Sequence, residues 1–298
     1  MSPISVSEVP GAVRALVALP RAHQPEACRA LAERLPAADE AWNTAFGSES
    51  LFDCWTSTAL AQGVYRANRA QLQLEPGWRA LEIGGGDGRL WRGLDLPEGT
   101  LTVVDPSPEV HQRMRRELPR HVELVPVTAR IEEVDQLPPC DRIVCSLTLH
   151  HLAGHDAEQR RHHGLEGPGK LEVLTALRGA LTAGGFLLVN EADVHCDLEL
   201  APGDRVLADR LVDSYVRRTA VWLVGELERD PVRAPRLAAI VRHWCLEQVA
   251  LYDVPVAERD VYELDVPRWR RLFDEAGFTL QRGEYTDDAG LFWQYILR

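Results

Sequence analysis

The stretch RALEIGGGDGRLW, residues 79–91, sets four glycines within five positions directly behind a short apolar run. Glycine loses more backbone freedom on folding than any other residue. A cluster of four at one turn therefore marks positions that need left-handed angles, or that let a ligand approach bare backbone. An apolar strand, a glycine turn and then GRLWRGL, read as a helix, would present backbone N–H groups to such a ligand. The spacing excludes two nucleotide loops. A P-loop requires G-x-x-x-x-G-K-[ST], and neither the lysine nor the hydroxyl follows. The dinucleotide fingerprint G-x-G-x-x-G fails from Gly84, because residue 89 is Arg, and from Gly86, because residue 91 is Trp.

Outward from this turn the chain alternates between two periods. LTVVDPS (101–107), VELVPVTA (122–129), CDRIVCSLTLHHL (140–152) and GGFLLVNEAD (184–193) read as further strands, with SPEVHQRMRREL (107–118) and GKLEVLTALRGAL (169–181) as helices between them. Such alternation predicts βαβ units and a parallel sheet covered on both faces, doubly wound through right-handed crossovers. Before it, VPGAVRALVAL (9–19) and PEACRALAERL (25–35) read as helices, and 41–75 as an aromatic-rich helical stretch. After it, GDRVLADRLVDSYVRRTAVWLVGELERD (203–230) and APRLAAIVRHWCLEQVAL (234–251) carry helical apolar spacing, while YDVPVAERDVYELD (252–265) reads as extended. The helix VPRWRRLFDEAGF (266–278) and two apolar runs to residue 298 then resume the alternation. The expected organisation is a helical N-terminal lid over 1–75, a core over 76–193 and 263–298, and a helical insert over 194–262 capping the acceptor.

Glu82 followed by the alternating glycines Gly84, Gly86 and Gly88 resembles the first strand and turn of the class I S-adenosylmethionine-dependent methyltransferases, [DE]-x-G-x-G-x-G. VVDPS, LHHL at 149–152, LRGALTAGGFLLVNEAD and WRRLFDEAGF continue the likeness in order, over a little more than half the chain. The resemblance implies an α/β fold: a Rossmann-like, doubly wound, seven-stranded sheet with its last strand antiparallel. The N-terminal helices and an insert after the fifth strand lie outside it. It also implies S-adenosyl-L-methionine as cofactor and methyl transfer as the reaction. By the same likeness Glu82 holds the methionine end, with backbone contact at Gly84 and Gly86. Asp105, with Pro106 beside it, takes the ribose diol. Thr128 stands where the family often has Asp, so adenine recognition falls to Thr128, Ala129 and Arg130. Ser146 and Leu147 close the fourth strand near the sulfonium, and Tyr65 is placed at the methionine carboxylate.

Composition bounds the partners. The 298-residue chain has a formal net charge of −12, which argues against a nucleic-acid backbone as partner. No apolar stretch reaches the roughly 18–20 residues that span a bilayer. No basic start and apolar block suggest a signal peptide, so a cytoplasmic location is expected. The six cysteines form no C-x-x-C pair and read as reduced thiols. Basic residues are almost all Arg; Lys170 is the one lysine, read as a coding bias. The expected partner is a small-molecule acceptor of specialised metabolism, methylated on O, N or C, with the assembly left open, a homodimer included.

Methyl transfer is largely positioning, but a hydroxyl or amine acceptor needs a base, for which histidine suits best. His151 and His150, behind the fourth strand, and Glu191, at the end of the fifth, are the catalytic candidates. Asp193, His195 and Tyr215 are the acceptor-binding ones; Glu191, Asp193 and His195 fall on one side of an extended segment, a pattern that also suits a metal, though none is assigned. His155, His162 and His163 read as a solvated loop. Two alternatives stand beside methyl transfer: a non-methylating reaction on the same cofactor, and an NAD-dependent oxidoreductase.

Overall fold

The computed structural model describes residues 2–35, 51–86, 88–152, 158–159, 167–194, 206, 212–213, 217–253 and 261–298. One sheet holds β1 (Trp78–Ile83), β2 (Gly99–Val104), β3 (Val122–Val127), β4 (Cys140–Ser146), β5 (Leu181–Ala192), β6 (Leu280–Tyr285) and β7 (Phe292–Leu297). Their order is β3-β2-β1-β4-β5-β7-β6. β1 to β5 pair in parallel, and β7 runs antiparallel to both β5 and β6. The expected Rossmann-like sheet, with its last strand reversed, is the one observed. Its central strands are apolar because both faces are covered: Ile143, Val144 and Cys145 of β4 and Leu187, Leu188 and Val189 of β5 are all fully buried. β3, at the edge, leaves Val125 exposed.

The chain divides into two compact units. One comprises Val64–Ala192, Asp260–Thr286 and Phe292–Arg298; the other comprises Met1–Gly63, Asp193–Arg259 and Asp287–Leu291. The first holds the sheet with α5 (Pro108–Glu117), α6 (Pro168–Ala180), α9 (Val266–Glu275) and most of α4 (Ala59–Leu72). α9 is opened by the Asp265 carboxylate, which accepts from Arg268 N at 3.0 Å, with Pro267 in the first turn. The second is helical: α1 (Val9–Ala18), α2 (Gln24–Arg34), α3 (Leu51–Thr56), α7 (Arg217–Arg229) and α8 (Ala234–Asp253). There α1 packs on α7 and α2 on α8, burying Val9, Val13, Leu223, Leu227, Leu237 and Ile240. Among the described residues no helix is long and apolar enough to cross a membrane.

Two local expectations are corrected. GRLWRGL is not a helix: residues 88–93 form a series of turns, tied mainly by i→i+3 bonds such as Trp91 N to Gly88 O (3.1 Å) and Leu94 N to Trp91 O (3.2 Å). Gly93 at φ +71° ends the run, and glycines at both ends deny it a helical nucleus. Tyr252 and Asp253, expected as extended, are the last residues of α8. Residues 254–260 lie outside the described chain, and 261–265 have no regular structure.

Candidate active site

Strand register gathers the site. Ile83 pairs with Val104 and with Cys145, Val104 with Val127, and Ser146 with Asn190. Gly84, Asp105, Thr128 and Leu147 each follow one of these strand ends, so four of the sequence candidates stand in a row along the carboxyl edge. The chain runs outward from β1 to β3 and then crosses to β4. The edge beside β1 and β4 is therefore the topological switch point, where open α/β sheets bind ligands.

The glycine turn is explained first by the protein itself. Gly84, Gly86 and Gly88 have φ of +71°, +55° and +74°, in the left-handed region that glycine alone enters freely. A Cβ on Gly84 would overlap the Thr148 side chain, whose hydroxyl is shared between the carbonyls of Ile83 (3.2 Å) and Ser146 (3.0 Å). A Cβ on Gly85 would lie 2.8–3.0 Å from Val103, Met114 and Val110. The turn after β4, together with β2 and α5, thus presses directly on the loop. Glu82 is buried and accepts from Trp91 Nε1 at 2.6 Å, with the Trp91 indole stacked 5.7 Å from that of Trp78. In place of a helix, Arg69 of α4 holds the turns, donating to the carbonyls of Arg89, Leu90 (2.9 Å) and Arg92 (3.1 Å).

Asp105 is buried, and burial pushes its carboxyl pKa up; backbone N–H groups of Ser107 (2.8 Å), Gly85 and Gly86, together with nearby His111, offset this in part. No Lys or Arg pairs with Asp105 among the described residues. A buried carboxylate over a glycine loop, hydrogen-bonded by backbone N–H groups, suits neutral hydroxyl donors and repels phosphate. Pro106, beside Asp105, is exposed; at the adenine candidates, Thr128 and Arg130 are exposed and Ala129 half-buried. Two backbone donors there are already used: Ala129 N on Val127 O (3.1 Å) and Arg130 N on Glu133 Oε2 (3.0 Å).

Beyond β4, Leu147 takes φ +53°, a left-handed angle that costs a non-glycine residue roughly 1–2 kcal/mol. Its N–H is fixed on Asn190 O at 2.8 Å, and the chain then turns through Leu149–His151. Glu191, almost fully buried, organises this turn. Its Oε1 accepts from Thr148 N (3.0 Å) and Leu149 N (2.7 Å), and its Oε2 lies 2.7 Å from His150 Nδ1. Burial alone would lower the His150 pKa, but the charge and hydrogen bond of Glu191, with Glu263, raise it above the ordinary value; Lys170 acts the other way. His151 is exposed, its ring centroid 4.2 Å from that of His150. Of the catalytic candidates, His150 and Glu191 are thus joined as one unit and His151 stands outside it. Glu191 holds both His150 and the backbone of the turn.

A buried amide cluster beside Ser146 has no local signature in the chain. Asn68 Oδ1 accepts from Asn190 Nδ2 and from Gln294 Nε2 (2.9 Å), while Asn68 Nδ2 donates to Ser146 Oγ at 3.4 Å. These three amides come from α4, β5 and β7, far apart in the chain. Tyr65 of α4 is half-buried. In the helical unit, Asp193 Oδ2 is paired with Arg218 at 3.2 Å. His195, Tyr215, His155, His162 and His163 lie outside the described residues. Among those described, no cluster of three or more His, Cys, Asp or Glu could hold a metal ion.

Comparison with known proteins agrees with this geometry. Residues 81–187 match a family model described as a methyltransferase domain. No curated protein matches the sequence. Among solved structures, SCL7 of Oryza sativa superposes with a TM-score of 0.58 at 16% identity, over 85% of this chain and 84% of its own. A Leishmania major protein, described as a SAM-dependent methyltransferase, gives 0.51 at 15% identity over 99% and 91%. At such identities the likeness is one of fold.

Proposed function

We propose, from the premise that residues 81–187 form a methyltransferase domain of the class I, S-adenosylmethionine-dependent type, that the chain methylates an oxygen or nitrogen of a small molecule, with His150 as general base. The His150–Glu191 pair carries this reading. Glu191 engages Nδ1, which holds the imidazole in the tautomer whose Nε2 is free to take a proton. The same carboxylate fixes the two N–H groups that shape the turn, so base and backbone are oriented together.

S-Adenosylmethionine, when bound, supplies a methyl group made electrophilic by its sulfonium. Asp105 would accept from both ribose hydroxyls, and Glu82, held by Trp91, would take the methionine end. Gly84 and Gly86 would offer bare backbone along that path, with Ser146 and Leu147 at the reacting end and Thr128 at the adenine. His150 draws the proton from the acceptor as its nucleophile is committed in line, and Glu191 stabilises the imidazolium. Choice of acceptor is assigned to the helical unit, with Asp193, His195 and Tyr215 as its candidates. The acceptor class we infer is a compact, partly apolar metabolite of specialised metabolism, met in the cytoplasm.

Calorimetric titration with S-adenosylhomocysteine, with Asp105→Ala alongside, tests the cofactor. Acceptor screening read as S-adenosylhomocysteine formation, with His150→Gln alongside, tests the base. Micromolar binding abolished by the first substitution and turnover abolished by the second are expected. A wild type that binds nothing would sink the proposal.

A further inference from the structure

Lys170, the single lysine of the chain, is completely buried on the apolar face of α6, among Val173, Leu174 and Leu177. A lysine there must be held by fixed partners. Its Nζ donates to Leu152 O at 2.8 Å and lies 5.5 Å from the centre of the Tyr262 ring. Tyr262, itself buried, donates its backbone N–H to His150 O at 2.7 Å. The segment 148–152 is therefore fastened at three levels: by Glu191 at Thr148 and Leu149, by Tyr262 at His150, and by Lys170 at Leu152.

We propose that Lys170 is a positioning residue for His150: it anchors the turn that carries the imidazole, and its buried charge opposes the two carboxylates acting on that ring. This rests on the reading of His150 as base. The charged groups acting on the imidazole are Glu191 from β5, Glu263 from the segment before α9 and Lys170 from α6, with His151 beside it in the same turn. Burial and the Lys170 charge both act against the two carboxylates, which favour the imidazolium, and a protonated imidazole takes no proton from an acceptor. Lys170 counters them from inside the fold, where a charge is little screened.

The test is an NMR titration of the histidine rings in the full chain, with His150 assigned by its loss in His150→Gln. In Lys170→Met the His150 midpoint should rise by about half a pH unit or more, and in Lys170→Arg it should stay near wild type. Lys170→Gln keeps a donor for Leu152 O without the charge; it should rise like Lys170→Met and serves if that variant does not fold. Glu263→Gln should move the midpoint down. An unchanged His150 midpoint in both neutral lysine variants, with S-adenosylhomocysteine still bound, overturns the proposal. Failure of the base reading is seen separately: His150→Gln would then turn over normally, whatever the titration shows.

Discussion

Trp91 Nε1 donates to Glu82 Oε2 across nine residues, so one oxygen of the carboxylate closing β1 is occupied by the protein's own indole. Trp91→Phe removes this donor and, because Trp91 is fully buried, also some packed volume, though the smaller ring can still stack on Trp78. A buried carboxylate short of one hydrogen bond should cost about 1–3 kcal/mol, read as a lower midpoint in chemical denaturation, and S-adenosylhomocysteine binding should weaken in calorimetry. Unchanged stability would mean that the contact is incidental.

Glu191→Gln distinguishes charge from shape. The amide oxygen can still accept from Thr148 and Leu149, but its NH2 would face His150 Nδ1 and drive the ring to the opposite tautomer, with Nε2 protonated. Turnover should fall by about 10²–10⁴, as for His150→Gln, with S-adenosylhomocysteine affinity little changed. If only affinity falls, Glu191 is a cofactor residue.

The raised pKa of His150 fixes two signs. As a base the ring works unprotonated, so kcat/KM should climb with pH through a value above 6.5, the ordinary one. For stability the direction reverses. The favourable His150–Glu191 interaction is fully present below about 6.5 and is lost as pH rises through the folded-state value. Denaturation midpoints of wild type and His150→Gln should therefore converge as pH rises through that value; divergence would contradict it.

Asp105 carries the opposite trade. Burial raises its pKa, so ionised Asp105 is an unfavourable element of the empty fold above that pKa. Asp105→Asn should leave the thermal midpoint at pH 7 unchanged or higher while weakening S-adenosylhomocysteine binding tenfold or more, about 1.5–3 kcal/mol for charged hydrogen bonds. Loss of stability with intact binding would reverse this assignment.

Gly84→Ala meets two obstacles, a left-handed φ of +71° and the Thr148 side chain. We expect a loss of about 2–4 kcal/mol. Thr148→Ala removes the steric part only, so the double substitution should cost about 1 kcal/mol or more less than the sum of the single ones. Strict additivity would show that the angle alone makes Gly84 necessary.

The strand ends were legible because period and spacing are local. An apolar run into Gly84 and an acid closing the next strand at Asp105 need no knowledge of the rest of the chain. GRLWRGL looks helical locally because Arg69, which holds the turns at 88–93 open, lies some twenty residues away on another element. Glu191 and His150 were both candidates, yet their union is forty-one residues long and is made by the register of β4 against β5. The Asn68, Asn190 and Gln294 cluster is more distant still. Lys170 did leave a local trace, a charge on an apolar helical stripe, and composition alone disguised it.

Because the chain's only ε-amine is sealed beneath the turn that bears His150, amine-reactive reagents have no lysine to modify while that turn stays shut. The rate at which Lys170 becomes acylated is then a single-site clock for local opening of α6 and segment 148–152. It can be read by mass spectrometry on unmodified protein, without a probe and before any acceptor is known.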